Sequence, residues 1–225
     1  MKNIIETVNL KRSFKVGSEI INALKGINLS IETGKMTMLC GRSGSGKTTL
    51  MNLMGTLDEP DEGKIIFNGK DITSISVSAK DLLRRKKIGF VFQSIALMPL
   101  MSAYENVEYS LRVNHTPIRE RRKRVEECLD MVGLLKRANH MPNEMSGGEQ
   151  QRVAIARAIA HRPEVVFADE PTAELDSAMG IHVVRLLKKM VEKEGLTVVM
   201  TTHDQDIALL ADVQYRMQDG EIIDE

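Results

Sequence analysis

The run Gly41-Arg42-Ser43-Gly44-Ser45-Gly46-Lys47-Thr48 constrains this chain more than any other stretch, because it fits the spacing G-x-x-x-x-G-K-[ST]. Glycines let the backbone curl until successive N–H groups point inward, and a helix starting near Gly46 adds its positive end. Such a loop draws in the phosphates of a nucleotide. Lys47 would reach the β- and γ-phosphate oxygens as a point charge, and the Thr48 hydroxyl would ligate a magnesium ion bridging them, with Thr49 and Leu50 continuing the helix. Chance assembly of these residue types in a chain this long occurs on the order of once in a hundred sequences. Met36 to Cys40 reads as a buried strand feeding the loop, and Leu50, Leu53, Met54 and Leu57 follow at helical spacing.

The 225 residues, 42% of them hydrophobic, suffice for one sizeable domain or a domain with an insertion. Lys plus Arg and Asp plus Glu number 31 each, so no global field favours nucleic acid or an acidic membrane. No apolar stretch approaches the roughly 18 residues that span a bilayer, and the first residues lack the apolar centre of a signal peptide. A soluble, cytosolic chain is expected. Cys40 and Cys128 have neither metal-ligand spacing nor a disulfide framework, so they read as reduced structural thiols.

Ile27, Leu29 and Ile31 alternate as a half-buried strand does, ahead of a turn at Glu32-Thr33-Gly34-Lys35. Pro60 to Gly63 breaks the chain, Lys64 to Phe67 is a short strand, and Asn68-Gly69 signals a hairpin, which together predict a small antiparallel sheet. Ser78 is expected to open a short helix, and Ile88 to Phe92 returns as a buried strand before Gln93. The pattern then turns helical. Ser102 and Glu105 form a capping box, Val125, Cys128, Leu129 and Val132 share one helical face, and Gly133 is a C-terminal cap. Ser146-Gly147-Gly148-Glu149 opens a helix running to about His161, Val165 to Ala168 is a buried strand, and a helix spans Ser177 to Glu194. A strand from Leu196 to Thr201 and a hairpin at Asp219-Gly220 complete the order.

Several residues carry candidate chemistry. Asp169-Glu170 ends an apolar strand; Asp169 would hold a metal through its water shell and Glu170 would polarise an attacking water. The alternative is a solvated strand end. His203 follows Leu196 to Met200 and the threonines Thr201 and Thr202, where a neutral imidazole could touch a γ-phosphate, or simply cap or pack. Gln93 could sense metal and water, or could only begin a loop. Met145-Ser146-Gly147-Gly148-Glu149-Gln150-Gln151-Arg152 is a second anion-binding design at a helix N-terminus. A capping box between Ser146 and Glu149 accounts for part of it, but two adjacent glycines carry an entropic cost that capping does not explain.

In this order the motifs resemble an ATP-binding cassette (ABC) ATPase, the nucleotide-binding subunit of an ABC transporter, over essentially the full chain. Gly41 to Thr48 is similar to the Walker A loop, Gln93 to the Q-loop glutamine, and Ser146-Gly147-Gly148-Glu149-Gln150 to the signature. Val165 to Asp169 resembles Walker B, Glu170 the catalytic glutamate, Ala173-Glu174-Leu175-Asp176 the D-loop, and His203 the switch histidine. Phe14 stands where many members place an adenine-stacking tyrosine, and the signature reads Met-Ser-Gly-Gly-Glu where Leu-Ser-Gly-Gly-Gln is commoner. A Glu149 turned into a capping role would keep its charge away from phosphate. Within the family, Phe90-Val91-Phe92-Gln93, Leu97-Met98-Pro99-Leu100, Glu105-Asn106-Val107 and Pro171 to Ser177 resemble the macrolide-export and lipoprotein-release branch, of MacB and LolD type, which includes antimicrobial-peptide resistance pumps.

The resemblance implies an α/β fold: a RecA-like P-loop NTPase core with a small antiparallel β-subdomain, about residues 1–92 and 162–225, and an inserted α-helical subdomain, about 93–161. It implies ATP and magnesium, with Lys47, Glu170 and His203 catalytic, Thr48, Gln93 and Asp169 at the metal, and Phe14, Gly41 to Thr49 and Gln93 around the nucleotide. It also implies a head-to-tail dimer with a second copy, in which Ser146 to Gln150 act on the other subunit's ATP. A membrane permease would dock near residues 94–112, holding the protein at the cytoplasmic face of the membrane. Ile95, Leu97, Met98, Leu100 and Met101 suit that docking, or equally interior packing. An ATPase regulating a membrane protein in cell-wall metabolism is the alternative. A DNA-repair or chromosome-maintenance ATPase fits less well, because the insertion lacks heptads and cysteine pairs. The basic run Arg119 to Arg124 is followed by Glu126, Glu127 and Asp130, and no nucleic acid is expected.

Overall fold

The computed structural model describes residues 2–224, so the first and last residues of the 1–225 span read above lie outside the described residues. In chain order the elements are β1 (Asn3–Val16), β2 (Glu19–Glu32), β3 (Met36–Cys40), α1 (Lys47–Met54), β4 (Glu62–Phe67), β5 (Lys70–Asp71), α2 (Val77–Lys87) and β6 (Ile88–Val91). There follow α3 (Ala103–Val113), α4 (Ile118–Met131), α5 (Gly147–Ile159), β7 (Val165–Ala168), α6 (Ser177–Glu194), β8 (Thr197–Thr202), α7 (Gln205–Ala208), β9 (Val213–Gln218) and β10 (Glu221–Asp224).

Two sheets result. One is four-stranded and antiparallel in the order β2-β1-β4-β5, and its β4–β5 turn is made by Asn68 and Gly69, both at positive φ (50° and 76°), as a two-residue hairpin requires. The other is six-stranded in the order β10-β9-β3-β8-β7-β6; β9, β3, β8, β7 and β6 run parallel, and β10 closes the edge as an antiparallel hairpin through Asp219 and Gly220.

The strands β3, β6, β7 and β8 are buried along nearly their whole length because both their faces are covered. Successive side chains alternate between two cores. Val165, Phe167, Val199 and Leu39 join Leu50, Met54 and the antiparallel sheet on one side. Val166, Ala168, Val198, Met200 and Met38 join α3, α4, α5 and α6 on the other through Val107, Leu129, Val153 and Val184. The helices α3, α4 and α5 enter the chain between β6 and β7. Arg124 of α4 donates to the carbonyls of Ile159 and Ala160 at the end of α5, where a cation also meets the negative end of the helix dipole.

The alternation of Ile27, Leu29 and Ile31, the capping box at Ser102, the buried face Val125, Cys128, Leu129 and Val132, and the positive φ (72°) of Gly133 are found as the pattern requires. Several boundaries differ by one or two residues, such as the strand read from Lys64, which starts at Glu62, and others differ for a visible reason. The second helix starts at Val77, because Ser76 rather than Ser78 is its cap, accepting from the Ala79 N–H at 3.3 Å. Between Val91 and Ser102 the chain is irregular, as a loop carrying Ile95 to Met101 requires, and the helical pattern expected past Gln93 begins only at Ala103. The eighth strand runs one residue later than read, to Thr202, since its parallel register with β3 pairs Cys40 with Thr202.

Candidate functional site

Parallel alignment brings the C-terminal ends of β3, β6, β7 and β8 to one edge of the sheet, the edge where α/β proteins bind ligands. Gly41 to Gly46 leave β3, Gln93 follows β6, Asp169 and Glu170 follow β7, and His203 follows β8. The loop is tightly enclosed. A Cβ on Gly41 would lie 2.3 Å from the Met217 carbonyl oxygen and one on Gly46, at φ 100°, 2.6 Å from that of Ala23, so only glycine fits between β9 and β2. The β9–β10 turn completes the enclosure, with the Gly220 N–H donating to the Ser45 carbonyl at 3.2 Å.

Lys47 is 4% exposed, and its ammonium folds back onto its own loop, donating to the Gly41 carbonyl at 2.8 Å and the Arg42 carbonyl at 3.0 Å. Its other neighbour is Glu170 Oε1 at 3.8 Å. The Ser45 hydroxyl is buried without a hydrogen-bond partner. A buried cation and an orphaned hydroxyl at a glycine-lined helix N-terminus suit an anion, since a buried hydroxyl without a partner is costly. The adjoining cavity, about 920 Å³, is lined by Gly41 to Ser45, His203, Gln214 and Arg216 among others. Cys40 also lines it, and burial pushes its thiol up despite the opposing charges of Arg216 and Lys47. Burial likewise raises the Cys128 thiol to about 11, in keeping with two free, protonated thiols.

The carboxylates are held by both neighbouring strands. The Asp169 N–H donates to Val91 of β6, and Asp169 Oδ1 accepts from the hydroxyls of Thr48 (3.1 Å) and Thr201 (2.7 Å). Glu170 adopts φ 41°, a left-handed conformation uncommon for a side-chain-bearing residue. Its carboxylate lies between Lys47 and His203, whose Nδ1 is 3.3 Å from Oε2. Thr48 and Asp169 therefore offer two adjacent hard oxygens, a partial shell of the kind magnesium completes with phosphate and water.

Not every predicted residue is gathered in. Gln93 is exposed and is not among the partners of Asp169. Phe14 stands apart from the cavity lining; Arg12 covers one face of its ring at 4.8 Å, so a stacking base would take the other face. The residues Ala173 to Asp176 lead into α6, where Asp176 caps the helix by accepting from the Met179 N–H at 2.9 Å. Ala173, Leu175 and Asp176 share a cavity of about 160 Å³ with Glu170 and His203.

Ser146 caps α5. Its hydroxyl accepts from the Glu149 N–H, while the Glu149 carboxylate accepts from the Ser146 N–H at 2.9 Å and approaches Arg137 at 3.2 Å. Glu149 is thus turned back into the cap, and the Ser146 amide together with its hydroxyl, aided by Arg137 and Arg152, holds its carboxyl below the usual range. Gly148 packs on Met179, and Gly147 lies near Leu175, so Ser146 to Gln150 and Ala173 to Asp176 are neighbours within one subunit.

Residue-type patterns missed Thr201, which touches both acids, and Asn106, whose buried side chain braces residues 98–102 through Met98, Met101 and Ser102. An asparagine one turn into a helix was the available signal for the second; nothing marked the first. The basic run from Arg119 is engaged locally: Arg121 binds the Thr116 carbonyl and Arg122 pairs with Glu126 at 2.9 Å.

A strand-loop-helix phosphate nest with paired acids and a histidine on the neighbouring strand ends defines a nucleotide hydrolase. The family model described as ABC transporter matches residues 24–173, and the chain belongs to that family as its ATP-hydrolysing cassette. It is 45% identical over 223 residues, covering 97% of this chain and 95% of that protein, to MJ0796, an uncharacterised ABC transporter ATP-binding protein of Methanocaldococcus jannaschii. A dimeric structure of the MJ0796 cassette bound to ADP and Pi superposes with a TM-score of 0.90 over 98% of this chain and 97% of that one, at 44% identity. The lipoprotein-releasing system ATP-binding protein LolD 2 of Rhodopirellula baltica is 44% identical, covering 96% of this chain and 88% of that protein. The macrolide export ATP-binding/permease protein MacB of Marinobacter nauticus is 43% identical; 99% of this chain corresponds to 34% of that protein. The fold is accordingly the P-loop α/β fold of ABC cassettes. Among the described residues no helix is long and apolar enough to cross a membrane.

Proposed function

We propose that this chain hydrolyses magnesium-bound ATP within a head-to-tail dimer of two copies and that the resulting motion drives a membrane permease of the MacB or LolD type. The observation that carries the reading is the position of Glu170, between Lys47 at 3.8 Å and His203 at 3.3 Å and next to the acid that bonds Thr48. The Gly41–Thr49 backbone and Lys47 hold the triphosphate, with the orphaned Ser45 hydroxyl as a further donor. Phe14 supplies a face for the base. Thr48 and Asp169, with Gln93 brought in from the β6 end, would hold magnesium, which neutralises charge on the β- and γ-phosphate oxygens when bound. Glu170 accepts a proton from the attacking water, and His203 orients the γ-phosphate and that water. Lys47 exchanges its own loop carbonyls for phosphate oxygens.

Ser146 to Gln150, of which Ser146 and Gly147 are exposed, are suited to closing over ATP held by the second copy, with Ala173 to Asp176 at the same seam. Loss of the γ-phosphate removes what both halves grip, and the stretch of about 93–161 swings against the core of 1–92 and 162–225. The solved dimer of a 44%-identical cassette supports this assembly. Purified Glu170→Gln protein is expected to dimerise on adding ATP, measured by light scattering; a strictly monomeric result would contradict the sandwich.

The permease docks on residues 94–112. Leu97 packs against the core, but Leu100 is 90% exposed on a loop braced from beneath by Asn106. A large apolar side chain on a firm loop suits a pocket in a membrane partner at the cytoplasmic surface. Leu100→Glu is expected to abolish stimulation of the ATPase by the co-purified permease while leaving the stability of the isolated chain within about 0.5 kcal/mol of the parent; a large loss of stability would instead assign Leu100 to packing.

A further inference from the structure

We infer that Thr201 is a positioning residue for ATP hydrolysis: its buried hydroxyl ties the metal-side acid Asp169 and the backbone of the water-activating acid Glu170 to β8, so that one group sets the spacing of both. The inference rests on the reading of the site given above.

Thr201 is fully buried in the middle of the parallel sheet, flanked by β3 and β7, a place where β-branched apolar residues prevail. A hydroxyl there is costly unless its hydrogen-bonding capacity is used. It is used in full at one spot. The O–H donates to Asp169 Oδ1 at 2.7 Å, and the oxygen accepts from the Glu170 N–H at 2.8 Å. A single side chain thus receives the main chain of one acid and orients the carboxylate of the other.

Glu170 needs such an anchor. At φ 41° it sits in a region that persists only where neighbours over-determine it. The preceding amide, that of Asp169, is tied to the Val91 carbonyl of β6 at 2.9 Å, and the Glu170 amide is tied to Thr201 of β8. The two acids are therefore strung between the strands that flank β7, and the Thr201 bond is the tie on the β8 side. On the carboxylate, Thr48 is the other donor to Oδ1, at the longer distance of 3.1 Å. If Thr48 turns its oxygen toward magnesium, Thr201 is the donor that remains to hold Asp169 in place. His203 follows two residues later, just past the end of β8, so the tie also relates the acids to the segment that carries the histidine.

Thr201→Val keeps the shape and removes both bonds, whereas Thr201→Ser keeps both bonds and loses only a methyl group. In the full chain, Thr201→Val is expected to lower kcat at saturating ATP on the order of tenfold to a hundredfold, as a displacement of catalytic groups does. The equilibrium affinity for ATP measured calorimetrically without magnesium should stay within about threefold, and the magnesium concentration for half-maximal rate should rise, because only the acids have been released. Thr201→Ser should restore kcat to within about threefold of the parent. Equal losses of kcat in the serine and valine variants, or a valine variant within about twofold of the parent, would overturn the inference. Should Thr201→Val fail to fold, Thr201→Cys asks the same question, since a thiol is a weak donor and a weak acceptor. It is expected to run on the order of tenfold slower than Thr201→Ser, and equal rates for the two overturn the inference. A parent chain that hydrolyses no ATP would sink the underlying site reading instead.

Discussion

Two helix N-termini in this molecule are preceded by or begin with glycines, and they are in opposite states. At α1 no side chain caps the helix; Lys47 is buried with its charge answered mainly by carbonyls, and the Ser45 hydroxyl has no partner. At α5 the capping box between Ser146 and Glu149 is closed, Arg137 answers the carboxylate, and Ser146 and Gly147 are exposed. The first terminus has no side-chain cap and an unpaired buried hydroxyl, features that suit an anion. The second is complete as a helix end, and under the proposed function it meets a ligand held by the other subunit. Similar local physics, an array of free amides at the positive end of a helix, is left without a side-chain cap in one place and capped in the other.

The comparison is broken most severely by separating the two termini onto different molecules. Lys47→Ala should lower ATP hydrolysis by at least about a hundredfold, the scale on which loss of a charge-stabilising donor acts. Ser146→Arg, which places bulk and positive charge at the seam, should do the same without weakening ATP binding by the monomer. Mixing the two inactive proteins is the decisive measurement. A mixed dimer has one composite site with an intact loop from one copy and an intact Ser146 from the other, so activity should return well above either protein alone. If mixing restores nothing, the α5 terminus serves its own subunit and the contrast drawn here is wrong.

Much of this arrangement was legible in the residues. Period-two burial of Ile27, Leu29 and Ile31, the apolar run Val165 to Ala168, and the capping pairs Ser102–Glu105 and Ser146–Glu149 are local signals, and local physics realises them in the fold. The strand ends carrying Gly41, Asp169 and His203 could be ordered along the chain. What stayed hidden was set across strands: that Thr201 touches both acids depends on β8 lying beside β7, a pairing no local pattern encodes. The fold of Lys47 onto its own carbonyls was hidden for a related reason, because the sequence names a charge but not which backbone groups compensate it. Ser76 displaced Ser78 as a cap because both serines satisfy the same local rule and only the helix path chooses between them.

A smaller effect separates the two glycines of α5. A Cβ on Gly148 would meet Met179 Cγ at 2.7 Å and Sδ at 3.0 Å, and Met179 is not free to yield, since Arg152 Nη1 donates to its sulfur at 3.1 Å. Gly148→Ala should therefore destabilise the chain by about 1–3 kcal/mol, the usual cost of overpacking. Gly147 has only Leu175 Cδ2 at 3.9 Å, so Gly147→Ala meets ordinary contact and gains helix propensity, about 0.5–1 kcal/mol in the stabilising direction. Urea midpoints of the two variants should move in opposite directions. Adding Met179→Ala should recover part of the Gly148→Ala loss; failure to do so would place the strain elsewhere than at the contact between α5 and α6.

The smallest effect sharpens the claim that the α5 terminus is closed by its own residues. The Glu149 carboxyl, held below its ordinary value chiefly by the Ser146 amide, binds its proton less readily folded than unfolded. A depressed folded value means the contribution is fully present above the unfolded carboxyl range, near pH 4.5, and is lost as pH falls through the lower folded value. Glu149→Gln abolishes the charge but keeps an oxygen that can accept from Ser146. It should cost about 0.5–1 kcal/mol at pH 7, a typical capping increment. The difference between parent and variant should shrink steadily as urea unfolding is repeated from pH 5 toward pH 3. A difference that stays constant with pH would mean that the carboxylate charge contributes nothing to the cap, and that the closed state of this terminus owes its stability to the Ser146 hydroxyl alone.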